Sequence, residues 1–191
     1  MSVVIAIKHK NKIYMGCDSQ ATCGQMKEPL PPEHGKVFYL KSTQPYNVLV
    51  GGVGSLRDLQ IISLEDGFID KSILYENRLD YEHLVKHGFV NIFNILAKYN
   101  RIDRDKNGEL VNYINDKYII AYKDNAWMIG QDGVVTEIND YLVCGSGETV
   151  AVGSLEHSKN CHDPIKRIRD AIKACADTTI YVDNNVVVST T

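Results

Sequence analysis

The chain has 191 residues, which is long enough for one large domain with a substantial core, and we expect a single domain over residues 1–191. Its formal net charge is -3, with both signs interspersed and no long basic stripe, so nucleic acid is not expected as a partner. The five cysteines are odd in number and contain no Cys-x-x-Cys pair, which argues against a disulfide framework and a zinc site.

The first elements are predicted to be strands. Val3 to Lys8 and Ile13 to Cys17 are apolar runs separated by polar turn residues, a pattern that predicts a β-hairpin. A loop rich in proline and glycine follows, up to Gly35. Two more strands are then predicted, Lys36 to Leu40 and Asn47 to Val53.

The opening apolar run is too short to cross a membrane. Val3 to Ile7 spans five residues, and the lysines follow it, whereas a signal peptide has its basic residues in front. We therefore expect a cytoplasmic protein without membrane contact.

The middle of the chain predicts two helices. Ser55 is placed to cap a helix whose apolar residues recur at helical spacing, with Asp58 in its first turn. A longer helix is predicted from about Asp80 to Tyr99, because its apolar residues fall on one face.

The last part alternates strands and helices. An antiparallel meander is predicted from turn residues that separate four apolar runs: Tyr118 to Tyr122, Ala126 to Ile129, Val134 to Ile138 and Leu142 to Gly145. One helix is expected after Gly147, and another begins with Asp163 as N-cap and Pro164 as first helical residue. A closing hairpin is predicted from Thr179 to Val182 and Val186 to Ser189.

This order of elements predicts an α+β fold. Strands, two helices, strands, two helices and strands follow one another without the regular β-α-β alternation of a parallel sheet. Two antiparallel sheets with helix pairs on their outer faces satisfy the pattern.

Two short motifs do not support a metal or a nucleotide cofactor. Asp103 to Gly108 resembles the start of a calcium loop, but Ile114 stands where the bidentate glutamate is needed. Gly51 to Gly54 lacks the Lys-Ser/Thr of a phosphate-binding loop. No cofactor and no metal are expected.

A catalytic hypothesis comes from the start of the chain. Removal of Met1 is favoured by a small second residue, so Ser2 would carry a free α-amine beside its hydroxyl, and nucleophile and base would share one residue. An ammonium from Lys36 would tune that amine and favour the alkoxide, and Asp18 would hold the lysine in place. The N–H of Gly54, in an open glycine turn, suits an oxyanion.

These residues lie in segments that resemble the signature segments of proteasome β subunits and bacterial HslV peptidases. The segments occur in the family order and cover nearly the whole chain: SVVIAIK (2–8), GCDSQAT (16–22), GKV (35–37), GGVGSLRD (51–58), CGSG (144–147) and ADTTIYVDNNVVV (176–188). The resemblance implies the four-layer αββα sandwich of N-terminal-nucleophile (Ntn) hydrolases, which agrees with the element order.

The resemblance also implies site residues. Its catalytic set is Ser2, Asp18, Lys36, Gly54, Ser146, which would assist the amine, and Asp177, a softer match because Ile180 replaces a family serine. The implied substrate-binding residues are Gln20, Thr22 and Gly52, the last at the base of a specificity pocket that would be roomy and apolar. The family nucleophile is usually threonine, whose methyl group restricts the hydroxyl rotamer, so Ser2 would be less well oriented.

The function implied is an endopeptidase that forms an acyl-enzyme on Ser2. Polypeptide substrates, a homo-oligomeric ring and a possible AAA+ ATPase unfoldase are the partners that the resemblance suggests. Two alternatives remain open: a small-molecule amidase of the same fold, and a non-catalytic ring-forming paralogue that keeps Met1.

Overall fold

Two antiparallel β-sheets face each other between two layers of helices. The computed structural model describes residues 2–23, 26–31 and 35–191, with residues 22, 23, 26 and 27 described by their backbone alone. The strands are β1 (Val3–His9), β2 (Lys12–Asp18), β3 (Gln20–Cys23), β4 (Met26–Pro29), β5 (Val37–Tyr39), β6 (Leu49–Val53), β7 (Lys117–Tyr122), β8 (Asn125–Ile129), β9 (Val135–Glu137), β10 (Tyr141–Gly145) and β11 (Val186–Thr190).

The helices fall into two groups in the sequence. Among the described residues, four α-helices precede β7 and two follow β10: α1 (Leu56–Leu64), α2 (Lys71–Tyr75), α3 (Tyr81–His83), α4 (Phe89–Lys98), α5 (Glu148–His157) and α6 (Pro164–Thr178). A π-helical turn, Leu84–Gly88, joins α3 to α4, so the long helix predicted from Asp80 to Tyr99 is present but irregular. The predicted caps form, with Ser55 accepting from Asp58 N–H and Asp163 capping α6.

Three buried apolar clusters separate the four layers. One lies between α1–α4 and the sheet ordered β5-β6-β7-β8-β9, and a second lies between the two sheets. The third packs α5 and α6 against the sheet ordered β10-β1-β2-β11. This is the αββα arrangement expected from the sequence. In the described part of the chain, no helix combines the length and the apolar character that crossing a membrane would require.

In two places the strands pair with other partners than the sequence predicted. The run from Tyr118 to Gly145 does not form a four-stranded meander, since β7, β8 and β9 stay in one sheet while β10 pairs with β1 in the other. The closing hairpin is also absent, because β11 pairs with β2, with Val187 opposite Cys17, and residues 179–182 form no strand. Turn residues mark where strands end but do not fix which edge a strand joins.

The predicted loop before Gly35 contains strands. β3 pairs antiparallel with β4, with Gln20 opposite Pro29, and Leu30 N–H donates to Ser19 O (2.7 Å). Each of these strands has four residues, and β4 ends in proline, so they show little periodicity and the sequence indicated a loop.

Candidate active site

Ser2 lies at the buried start of the central strand β1. The residue is 5% exposed, and its Oγ is buried without a hydrogen-bond partner among the described residues. Ser2 N donates to Ser146 Oγ (3.1 Å), and Ser146 Oγ donates to Ser2 O (3.2 Å). The backbone of Ser2 is therefore fixed while its hydroxyl is left unpaired. Met1 lies outside the described residues.

The close approach of Ser146 to Ser2 depends on a glycine. Gly145 has a φ of +114°, and a Cβ at this position would overlap the carbonyl of Ser2. Only glycine adopts that conformation without strain. Gly145 therefore lets β10 end against Ser2 and leaves Ser146 beside it.

Asp18 and Lys36 form a buried ion pair. Lys36 Nζ lies 2.7 Å from Asp18 Oδ2, with side chains that are 6% and 0% exposed. The same carboxylate accepts from Val3 N–H (3.0 Å) and from Gln20 N–H (3.3 Å). Asp18 thus links the lysine to β1 directly after Ser2, and a buried charge pair with additional hydrogen bonds is well held.

Ser2 and Lys36 line the same cavity, of about 70 Å³. The other residues that line it are Gln20, Ala21, Leu30, Gly52, Val53, Gly54, Leu56 and Leu59. A charged amino group and an unpaired hydroxyl therefore face a small space with an apolar base.

A second, larger space opens on Ser2. It measures about 370 Å³ and is lined by Gly54, Gly145 and Ser146 together with Val53, Asn115, Lys117 and Gln131. Lys117 Nζ lies 3.5 Å from Glu148 Oε2, with both side chains partly exposed. Ser2 and Gly54 line both spaces.

Gly54 forms a turn between β6 and α1 in a conformation that glycine adopts without strain. Its φ is +133°, and a Cβ there would overlap the carboxylate of Asp116. Within the described part of the chain, the Gly54 N–H makes no hydrogen bond. Ser55 N–H, the next donor, is bound by Asp116 Oδ1 (2.6 Å). A free backbone donor therefore lies at the rim that the two spaces share.

Asp116 belongs to a buried polar group behind this turn. Its Oδ2 accepts from Tyr118 O–H (3.1 Å), and Arg101 pairs with the buried Asp58. Burial, and to a smaller extent the neighbouring carboxylate of Asp58, raise the pKa of Asp116 to about 6, against the lowering effect of the hydrogen bond from Ser55 N–H.

The described cysteines near the site are poor nucleophiles. Burial raises the pKa of Cys17 and of Cys144 to about 12, although the ammonium of Lys36 opposes the rise at Cys17. Burial also raises the pKa of Cys175 to about 11. Since the thiolate is the reactive form, these side chains do not compete with the Ser2 hydroxyl. Over the described residues, no group of three or more His, Cys, Asp or Glu side chains is arranged to hold a metal ion.

The structure brings most of the predicted site residues together. Ser2, Asp18, Lys36, Gly54 and Ser146 are joined by hydrogen bonds or by a shared cavity. The predicted substrate-binding residues Gln20 and Gly52 line the smaller cavity, and Gln20 Nε2 donates to Ile180 O (3.3 Å). The side chain of Thr22 lies outside the described residues.

Asp177 stands apart from this group. It is exposed in the last turn of α6, and no hydrogen bond or ion pair joins its side chain to another described residue. Its predicted catalytic role stays a prediction.

Two carboxylates near the site were not predicted. Asp116 lies directly before β7, in an Asn-Asp-Lys run that indicates a turn. Asp183 accepts from Ser19 N–H (3.1 Å) and from Ser19 Oγ, and so attaches the chain before β11 to the end of β2. Both contacts join segments that are distant in sequence, so a local pattern cannot indicate them.

The fold is that of the Ntn hydrolases. The structure titled "Thiobacillus denitrificans BPH" matches with a TM-score of 0.71 at 17% identity, covering 99% of this chain and 97% of that one. Eukaryotic HslV from Trypanosoma brucei matches with a TM-score of 0.69 at 18% identity, over 98% of both chains. The αββα class predicted from the sequence is confirmed.

The chain belongs to the proteasome subunit family. The model of the family described as "Proteasome subunit" matches residues 2–191. The "ATP-dependent protease subunit HslV" of Cytophaga hutchinsonii is 28% identical over 99% of this chain and 95% of its own length. The "Proteasome subunit beta" of Nanoarchaeum equitans is 27% identical over 91% of this chain and 80% of its own. The predicted resemblance to proteasome β subunits and HslV is thereby confirmed.

Proposed function

We propose that the protein is a peptidase that cleaves peptide bonds through an acyl-enzyme on Ser2, after removal of Met1. One observation carries the proposal: the buried Ser2 Oγ has no partner among the described residues and shares a cavity with the ion-paired Lys36. An unsatisfied buried hydroxyl costs free energy, and a catalytic role is one reason why a protein retains it.

The base in this mechanism is the α-amine that Met1 removal exposes. An α-amine has a pKa of about 7.7 to 8, so near neutral pH a useful fraction is unprotonated and can accept the hydroxyl proton, directly or through one water. The positive charge of Lys36 disfavours the protonated amine and stabilises developing negative charge on Oγ. Ser146 Oγ, 3.1 Å from Ser2 N, orients the amine.

The bond changes follow from this arrangement. Ser2 Oγ attacks the substrate carbonyl carbon, and the Gly54 N–H receives the oxyanion. The C–N bond then breaks, the proton held by the α-amine goes to the leaving amine, and an ester remains on Ser2. Water hydrolyses the ester with the same amine as base, which regenerates the free hydroxyl.

Two spaces that meet at Ser2 favour an extended polypeptide over a compact small molecule. The smaller one is a cavity of only about 70 Å³. A Cβ on Gly52 would overlap Leu59, so this leucine fills the base of the pocket. We therefore propose a small or medium-sized apolar side chain before the scissile bond, in place of the large one that the roomy pocket implied by the resemblance would accept.

The active form is proposed to be a homo-oligomeric ring in the cytoplasm. The HslV relatives are named as subunits of an ATP-dependent protease, which supports a ring and an ATPase unfoldase as its partner. The outer layer α1–α4 exposes large apolar side chains at Leu64, Tyr75 and Val90, as a surface that packs on another copy would.

The test compares Ser2→Ala with Ser63→Ala, a control serine on α1. Alanine at position 2 still permits removal of Met1, so this variant keeps the α-amine and loses only the hydroxyl. Intact mass first establishes the N-terminus of each protein, and hydrolysis of fluorogenic peptides with an apolar or an acidic residue before the scissile bond is then measured. We expect wild type and Ser63→Ala to cleave the apolar peptide and Ser2→Ala to be inactive, with Ser2→Thr at least as active as wild type.

Other outcomes point to the alternatives. Met1 retained in an inactive wild-type protein would indicate the non-catalytic paralogue. Ser2-dependent hydrolysis of small amides but of no peptide would indicate the amidase. Equal hydrolysis by wild type and Ser2→Ala would remove Ser2 from the mechanism.

A further inference from the structure

The turn that carries the Gly54 N–H is bound from behind by a carboxylate. Asp116 is fully buried at the start of β7, and its Oδ1 accepts from Ser55 N–H at 2.6 Å. Its Oδ2 accepts from Tyr118 O–H at 3.1 Å. Since both oxygens are engaged from different directions, the carboxylate has a fixed orientation.

This contact sets the conformation of Gly54. A planar peptide unit joins Gly54 to Ser55, so fixing the Ser55 N–H fixes the rotation about the Cα–C bond of Gly54. On its other side Gly54 follows β6, which is paired along its length with β7. Glycine by itself has wide conformational freedom, and the bond to Asp116 removes it.

Building on the peptidase activity proposed above, we propose that Asp116 is a positioning residue of the reaction. Its carboxylate holds the Gly54–Ser55 turn so that the Gly54 N–H meets the oxyanion. A donor aligned with the oxyanion acts in the transition state more than in the bound substrate. Loss of Asp116 therefore lowers kcat and leaves KM nearly unchanged.

The surroundings of Asp116 make its contact depend on pH. The charged and titratable groups that interact with it are Asp58 on α1, Arg101 after α4 and Tyr118 on β7, and Arg101 is paired with Asp58. Because burial raises the pKa of Asp116 to about 6, its carboxylate is charged at pH 8 and gains a proton as the pH falls through 6. The charge-assisted bond from Ser55 N–H then weakens.

The test uses two variants of similar size. Asp116→Leu removes the acceptor, whereas Asp116→Asn keeps a carbonyl oxygen for Ser55 N–H and cannot titrate. With the apolar fluorogenic peptide at pH 8, we expect Asp116→Leu to lose on the order of 10-fold to 100-fold in kcat with KM within about 3-fold, somewhat less than deletion of an oxyanion donor. Asp116→Asn should recover only part of the loss, because its neutral amide oxygen accepts a weaker hydrogen bond from Ser55 N–H than the carboxylate does.

The pH dependence of kcat distinguishes a positioning role of Asp116 from a purely structural one, which would not change it. Protonation of the α-amine gives log kcat a slope of one below its pKa, and protonation of Asp116 adds to that slope below about pH 6. Wild type should therefore fall more steeply than Asp116→Asn at pH 5 to 6. If Asp116→Leu does not fold, this comparison of two folded proteins still decides the question.

Hydrogen exchange at the Ser55 amide separates failure of this inference from failure of the proposed function. Exchange should be slow in wild type and Asp116→Asn and fast in folded Asp116→Leu. An active wild type with an equally active Asp116→Leu, or with parallel pH profiles for wild type and Asp116→Asn, overturns the positioning role alone. A wild type without Ser2-dependent hydrolysis overturns the proposed function and the role in catalysis with it, whatever the exchange shows.

Discussion

Asp18 and Lys36 form an ion pair of 2.7 Å that is almost completely withdrawn from solvent. The carboxylate also binds Val3 N–H, so the pair connects the start of β5 with the backbone next to Ser2. Removing one partner of a buried pair leaves an uncompensated charge, whereas removing both does not. Single and double variants of this pair can therefore separate its contribution to stability from its contribution to catalysis.

Lys36→Met should reduce both the stability of the protein and its catalytic activity, and a double variant should restore the stability alone. We expect Lys36→Met to lose about 3 to 5 kcal/mol of unfolding free energy because Asp18 stays buried and unpaired. Asp18→Asn combined with Lys36→Met should recover much of that stability and remain at least about 100-fold reduced in kcat, because the ammonium is still absent. Urea denaturation and peptide hydrolysis measure the two effects, and a double variant with wild-type kcat would exclude an electrostatic role for Lys36.

Gly145→Ala should disrupt the site, and Gly153→Ala provides a matched control. At position 145 an added Cβ would overlap the Ser2 carbonyl in a backbone with φ of +114°, so Ser146 must move away from Ser2. Gly153 lies in α5 with open space around it, and alanine there should stabilise the helix by up to about 1 kcal/mol. Thermal melting and peptide hydrolysis should show a less stable, inactive Gly145→Ala and a more stable, active Gly153→Ala. Full activity in Gly145→Ala would mean that the contact between Ser146 and Ser2 is not needed.

The thiols should differ in their reaction with iodoacetamide at pH 7.5. Cys17, Cys144 and Cys175 are buried with raised pKa values, so almost no thiolate is present, whereas Cys161 is partly exposed. Peptide mapping after short labelling of the folded protein should find the label on Cys161 and not on the three buried thiols. Labelling of Cys17 with loss of peptide hydrolysis would instead point to a cysteine near the reacting atoms.

Local patterns predicted the elements well where periodicity or capping was strong. Ser55 and Asp163 cap helices as expected, since a cap is a contact between residues two or three positions apart. The sequence patterns did not predict the pairing of strands whose partner is distant in the sequence. β10 joins β1 and β11 joins β2, because those edges offer backbone partners that the neighbours in sequence do not.

The order of its signature segments places this chain in its family and indicates five site residues: Ser2, Asp18, Lys36, Gly54 and Ser146. Each of them lies at the end of a recognisable strand or beside a glycine. Tertiary structure alone revealed Asp116 behind the Gly54 turn and Leu59 under Gly52. Those contacts join β7 to the turn before α1 and α1 to β6. Their geometry follows from how sheet and helix pack, which no short stretch of sequence encodes.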